Sequence, residues 1–320
     1  MMSFVVTARN DNYGGDFLER MQAFVNVLLA LCERHSLEME LVIVEWNPPP
    51  DNPRLATALK WPDSSRHCQV RIIEVPEELH KQLPHSEKKT LFEYIGKNVG
   101  VRRALGGYIV VTNPDILYSE ELITFLASAR LSHRVTYRSV RYDVQGPVPA
   151  GVSVEELLAY CREHVIRRND YLYSHDYRAG KRANAAKILK GLTGEVIWRT
   201  KYFPYRRPFT NASGDFFMMH RSQWHHLLGY PQVIGADIHG LFHTDSFMMY
   251  ETLFHGLKEV DLPSRLRIYH QEHNRPTNTD IYSPEIAAIR ARLLNERKPI
   301  RFNDESWGLG GHELKENVIF

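Results

Sequence analysis

Along the first third of the chain, short apolar runs alternate with amphipathic ones. Ser3–Thr7, Glu40–Glu45, Gln69–Val75 and Tyr108–Thr112 are largely apolar and rich in β-branched residues, which predicts strands buried on both faces of a parallel sheet. Between the first two, Phe17, Met21, Phe24, Val25, Leu28, Leu29 and Cys32 recur at helical spacing behind Asp16, which reads as an N-cap. A helix ending over Lys97–Leu105 precedes the fourth strand, with Val101, Ala104 and Leu105 on one face and Gly106-Gly107 closing it. Pro76–Thr90 is polar and reads as irregular or as one short helix. Strands alternating with helices in this way require parallel pairing and right-handed crossovers. The predicted fold class is therefore α/β, a mostly parallel central sheet flanked by helices.

Beyond the fourth strand, Ser119–Arg130 has the pattern of an amphipathic helix and Arg134–Tyr142 that of an edge strand. From Gly146 to Phe209 the pattern loosens. A helix over Ser153–Arg167 gives way to a Tyr-, Arg- and Lys-rich stretch, Y-L-Y-S-H-D-Y-R, read as an inserted, lid-like segment. Order returns at Asn211-Ala212-Ser213-Gly214-Asp215, and Phe216, Phe217, Met218 and Met219 read as core. Thr244-Asp245 opens a helix within the run Gly235–Tyr250. Arg267–His273 is a last core strand, Ser283–Glu296 a helix and Arg301–Phe320 a polar tail. The expected organisation is an α/β half over residues 1–130, an inserted segment over 131–210, the second half of the same domain over 211–275, and a C-terminal helix and tail over 276–320.

Composition narrows the function classes. With 43% hydrophobic residues in 320, a full core is affordable to such a chain; Lys+Arg 40 against Asp+Glu 38 gives no global charge case for a nucleic-acid partner. The charge is uneven, however: Arg162–Arg207 holds twelve Lys/Arg and four Asp/Glu. Such a run is either a solvated surface or a face toward an anionic acceptor, a diphosphate or a membrane surface, so peripheral membrane contact stays open. Cys32, Cys68 and Cys161 show no metal-ligand spacing and read as reduced thiols. The N-terminus lacks a basic leader, and no window approaches the ~18 to 20 apolar residues of a membrane span. A cytoplasmic location is expected. The oligomeric state is not encoded in any pattern.

Candidate chemistry gathers at Lys97–Leu117, K-N-V-G-V-R-R-A-L-G-G-Y-I-V-V-T-N-P-D-I-L. Ligands of open α/β sheets bind beyond the carboxyl ends of strands, where Asp115 falls. Asn, Pro and Asp are also ordinary turn residues. No G-x-G-x-x-G follows the first strand and no G-x-x-x-x-G-K-[ST] occurs, so the dinucleotide and P-loop readings lose their support.

The K-N-x-G-x-R-x-A-x-G helix, buried strand and N-P-D turn resemble the centre of a GT-A-fold glycosyltransferase of the family 2 type. The resemblance implies a GT-A-like, Rossmann-like fold and a nucleotide-sugar donor. It also implies a divalent metal, Mg or Mn, held by Asp115 on the diphosphate. Asn113 stands where the family has a first Asp. Thr7 and Arg9 after the first strand and Glu45 after the second, with Asn47 as substitute, match donor-binding positions of the nucleotide-sugar-binding half, 1–130; Asn98 belongs to the helix motif, and the Asn113 amide can still hydrogen-bond a ribose hydroxyl. In the absence of a phosphate cradle, Lys97 and Arg102 are near enough to hold a diphosphate as basic side chains. G-D-F-F-M-M-H-R and L-G-Y-P loosely match the acceptor-side strand and turn. Asp245 falls at the catalytic base, with Thr244 in place of a preceding acid. A His after the last core strand commonly reaches the metal: His270 fits best, His273 next. Two histidines three apart on an extended segment face opposite ways, so they are not expected to share one metal.

The implied reaction is inverting transfer of a sugar to a saccharide or other hydroxyl acceptor. Two other readings are kept. A sugar nucleotidyltransferase should carry a Gly- and Arg-rich first loop, of which A-R-N-D-N-Y-G-G is a poor version. A non-catalytic binding or scaffold protein is suggested by Asn113 and Thr244 in place of acids.

Overall fold

The computed structural model describes residues 1–169, 171–173, 177–208, 210, 213–232, 244–274 and 284–320. In chain order these form β1 (Met2–Ala8), α1 (Phe17–Arg34), β2 (Met39–Trp46), α2 (Leu55–Ala58), β3 (Cys68–Val75), α3 (Glu77–His80), α4 (Glu93–Arg103), β4 (Tyr108–Thr112), β5 (Ile116–Tyr118) and α5 (Glu120–Ser128). There follow β6 (Val135–Arg138), β7 (Val140–Val144), α6 (Val154–Glu163), β8 (Val165–Arg168), β9 (Tyr171–Leu172), α7 (Tyr177–Ala183) and α8 (Ala185–Tyr202). The remainder is β10 (Phe216–His220), α9 (Arg221–Leu227), α10 (Thr244–Phe254), β11 (Lys258–Asp261), β12 (Arg267–Gln271), α11 (Pro284–Glu296) and β13 (Lys315–Val318).

The larger sheet has eight strands in the order β11-β6-β10-β4-β1-β2-β3-β13. Its centre, β4-β1-β2-β3, is parallel throughout, as the buried apolar runs require. The chain winds outward from β1 to β3 and then returns to place β4 on the other side of β1. Strand order therefore reverses between β1 and β4, the switch point at which open α/β sheets bind ligands. A smaller sheet, β5-β12-β7-β8-β9, stands beside it. One buried cluster joins α1, with Phe24 and Leu28, to both sheets, while a second places Val99, Trp224 and Trp307 on the other face.

Helix α4 lies unusually close to the sheet: a Cβ on Gly100 would sit 2.4 Å from Val5 Cγ1, and one on Gly96 2.4 Å from Thr7 Cγ2. Side chains larger than hydrogen would push the helix off β1. That close approach is the physical content of the Asn-x-Gly signature.

Several boundaries differ from expectation. Leu105 is 54% exposed rather than on the buried helix face, because α4 ends at Arg103 and Ala104 is already extended. Arg134–Tyr142 is not one edge strand; it divides at Ser139 between β6 in the large sheet and β7 in the small one. The helix expected to reach Arg167 stops at Glu163, and Val165–Arg168 pairs with β7. Asp16 occupies the N-cap position of α1 without a side-chain bond; Asn12 Oδ1 accepts the Phe17 N–H instead, at 3.3 Å. The polar tail adds β13 antiparallel to β3 and buries Trp307, an edge strand too short and polar for periodicity to find. Asn211-Ala212, Gly235–His243, Ser283 and the centre of Y-L-Y-S-H-D-Y-R lie outside the described residues.

Candidate functional site

Beyond β4 the chain turns through Asn113-Pro114-Asp115 into β5, with the Ile116 N–H donating to the Asn113 carbonyl at 3.2 Å. Strand β12 runs antiparallel to β5 with His270 opposite Ile116, so the pairing register itself delivers His270 to Asp115. His270 Nε2 lies 3.7 Å from Asp115 Oδ2, and His273 Nε2 lies 3.2 Å from the same oxygen. One ligand atom from each of the three residues falls within 4.8 Å of the others. The expectation that the two histidines face apart is thus corrected. Strand alternation ends with β12 at Gln271, and the irregular chain beyond it returns His273 to the site. The first loop permits this: Gly14, at φ +72°, comes so near that a Cβ there would meet His273 Nδ1 at 2.3 Å.

The electrostatics suit a cation. Burial works to raise the Asp115 carboxyl, but His270 and His273, with Arg20 behind them, hold it down at about 2. Its Oδ1 is buried with no hydrogen-bond partner among the described residues, an arrangement that costs free energy unless something positive meets it. A carboxylate and two imidazole nitrogens are a donor set that divalent metals accept, so the residues fit the implied metal.

Asp143 supports this arrangement from behind. Its Oδ1 lies 3.2 Å from His270 Nδ1, which leaves Nε2 for the Asp115 side. Asp143 is itself held by Arg141 Nε and Arg167 Nε, each at 2.9 Å. Burial pushes its carboxyl up, yet His270 and the two arginines bring it to about 2. Burial would lower the His270 value, but Asp115 and Asp143 raise it above that of an ordinary histidine. Asp143, His270 and Glu272 form a second set of neighbouring donor atoms, but Arg167 pairs with both carboxylates. That set is therefore already neutralised.

The tripeptide Ser213-Gly214-Asp215 connects this corner to α10. Ser213 Oγ donates to Asp245 Oδ2 at 2.6 Å. The Gly214 carbonyl accepts from Lys97 Nζ at 3.2 Å. Asp215 accepts from Asn113 Nδ2 at 2.8 Å and from Arg141 Nη1 at 2.8 Å. Asp245 also accepts the Ser246 N–H at 2.7 Å and sits in the first turn of α10, where the helix dipole favours an anion. Lys97 is fully buried; it pairs with Glu93 and donates to Asn113 Oδ1 at 2.7 Å. It thus orients Asn113 rather than standing open to solvent.

No protein-family model and no curated protein matches the chain. Similar solved structures exist. A mannosyltransferase from Pyrobaculum calidifontis, in complex with GDP-Man and Mn2+, is 14% identical over 87% of this chain and 58% of its own, with a TM-score of 0.38. S. aureus TarS is similar in two forms: residues 1–349, at 11% identity, 92% of this chain, 64% of that one and TM-score 0.41; and a second structure, at 10%, 92%, 38% and 0.40. The chain thus spans less than two thirds of each. At these scores the likenesses decide nothing further, and what the site can do follows from its own side chains.

Of the remaining expected residues, Thr7, Arg9 and Glu45 lie along the same sheet edge. Arg9 Nε donates to the Asn47 carbonyl at 2.7 Å and pairs with Asp11 at 2.7 Å. Asn47 Nδ2 reaches the Thr90 carbonyl at 3.2 Å. Arg9, Asn47, Arg54, Glu74, His80 and Thr90 are among the residues lining a cleft of about 580 Å³ beyond β2 and β3. Thr7 Oγ1 donates to the Glu93 carbonyl at 3.1 Å. Glu45 accepts the Leu55 N–H at 2.9 Å, and burial raises its carboxyl. Two others are spent on the fold. Asn98 exchanges both amide bonds with the Tyr230 backbone, at 2.8 and 2.7 Å. Arg102 donates to the Glu305 and Trp307 carbonyls at 3.0 and 3.1 Å.

Sequence reasoning missed Arg141, Asp143, Arg167, Ser213 and Asp215. One signal was available: Arg141 and Asp143 are two apart in V-R-Y-D-V, so two charges share one face of a strand otherwise apolar.

Proposed function

We propose that the protein is a glycosyltransferase of the GT-A, family 2 type, moving a sugar from a nucleotide-diphosphate donor to an acceptor hydroxyl with inversion. The observation that carries the reading is the convergence of Asp115, His270 and His273 beside the β1/β4 switch point, with one Asp115 oxygen buried and unpartnered among the described residues. Those three residues would hold a divalent cation, Mg or Mn. When bound, such an ion neutralises the charge that develops on a departing diphosphate.

The chain's own groups supply the rest. The cleft lined by Arg9, Asn47 and Thr90 offers polar atoms and a cation to the nucleoside part of the donor. Asn113, fixed between Lys97 and Asp215, presents its amide at the end of β4. Asp245, held by Ser213 and the Ser246 N–H, takes the proton from the acceptor hydroxyl. The acceptor oxygen then bonds the anomeric carbon as the bond to the diphosphate oxygen breaks on the opposite face.

The test is a thermal-shift panel of UDP, GDP, dTDP, CMP and their sugar conjugates, with and without manganese. A ligand at ~100 times its dissociation constant adds ~2.7 kcal/mol. Metal-dependent stabilisation by one nucleoside diphosphate and its sugar conjugate is expected. Absence of any such shift, or pyrophosphate release from a nucleoside triphosphate, would overturn the assignment.

A further inference from the structure

Helix α8 carries two apolar stripes, and among the described residues only one of them is packed. Trp198 and Tyr202 face inward and pack in a cluster with Phe247, Tyr250 and Phe254 of α10, and Ile188 is half-buried. Trp198 and Tyr250 have ring centroids 5.7 Å apart, so α8 rests on the helix that Asp245 opens. The second stripe points to solvent. Leu189, Leu192 and Val196 recur at helical spacing, and Ile197 and Phe203 extend the surface; these five are 58% to 78% exposed. Isolated exposed apolar side chains are ordinary, but five on one short segment mark an interaction surface.

The charges say what kind of partner fits. From Lys181 to Arg207 there are eight Lys/Arg and one acid, Glu195, which is engaged by Arg199 at 2.8 Å. Lys190, Lys201 and Arg206 are exposed among the apolar residues. A second copy of the chain would set this cation-rich face against its own like charges. Nucleic acid would answer the cations and leave the leucines unburied. A lipid surface with anionic headgroups answers both, since acyl chains take up the apolar stripe while long basic side chains reach the phosphate level.

We infer that the outer face of α8, with Phe203 beyond its end, is a docking element for anionic membrane surfaces. The helix lies in the interface plane and crosses nothing; among the described residues no helix is long and apolar enough to span a bilayer. The inference is independent of the reaction proposed above, because it uses none of the site residues.

The test is co-sedimentation of the full chain with phosphatidylcholine vesicles, with and without one third phosphatidylglycerol. The chain should bind the anionic vesicles, bind the neutral ones weakly, and release as salt is raised. A Leu192→Ser, Val196→Ser, Phe203→Ser variant and a Lys190→Glu, Lys201→Glu variant should each lose about tenfold or more in partitioning. Lys201 Nζ lies over the Tyr202 ring, 5.3 Å from its centroid, so thermal unfolding of each variant at the parental temperature is the check that lost partitioning does not come from lost folding. Three results would each overturn the inference. These are no binding to anionic vesicles, undiminished binding by both variants, and self-association of the chain in ultracentrifugation that the apolar substitutions abolish.

Discussion

His273 Nε2 and Asp115 Oδ2 are 3.2 Å apart, closer than the same oxygen is to His270 Nε2, at 3.7 Å, although His273 lies beyond the end of β12. Both histidines should therefore matter to a bound ion. In calorimetric titration with manganese chloride, Asp115→Ala should remove binding, and His270→Ala and His273→Ala should each weaken it. Asp143→Asn should cost about 10- to 100-fold, as loss of a carboxylate that orients a ligating imidazole does. Equal affinity for the parent and the His273→Ala chain would return that residue to a purely local role.

Asp245 is placed by Ser213, the residue directly before the Gly214 and Asp215 that engage Lys97 and Asn113. Replacing the carboxylate should remove proton acceptance while leaving the β4 corner in place. Asp245→Asn should lower transfer by ~10² to 10⁴, with donor-dependent stabilisation in thermal shift retained. Ser213→Ala should have a smaller effect, since it frees the Asp245 carboxylate to rotate without deleting it. Transfer at the parental rate by Asp245→Asn would mean that another group takes the proton.

What could be read from sequence divides along a physical line. The four parallel strands were legible because each is buried on both faces, which leaves a continuous apolar run. Asp115 was legible because such a strand ends abruptly in polar residues. The pairing of His270 with His273 was not, since it depends on where β12 stops and on a glycine in a loop some 260 residues earlier. Asp143 and Asp215 were hidden for a related reason. Their roles come from contacts with Arg141, Arg167, His270 and Asn113, made across strands that no local periodicity connects. Lys97 and Arg102 look alike in sequence as diphosphate ligands. They part in space because one points to the β4 corner and the other to Trp307 in the C-terminal segment.

Glu251 gives a prediction that concerns stability alone. It sits on α10, 4% exposed, and both its oxygens accept the Ile300 N–H, at 3.2 and 2.9 Å. Burial raises its carboxyl from 4.5 to about 8, and the single backbone bond offsets this only in part. A folded-state value above the unfolded one means that the folded chain holds the proton more tightly. Its contribution is complete below the unfolded value and is lost as pH rises through the folded one. Stability should thus fall between about pH 4.5 and 8, by roughly 1.4 kcal/mol per unit from this group. Glu251→Gln keeps an amide oxygen for Ile300 and carries no charge. Urea unfolding should show the variant close to the parent at the acidic end and more stable by a few kcal/mol above pH 8. A difference that does not grow with pH would show the carboxylate to be as comfortable in the fold as in water.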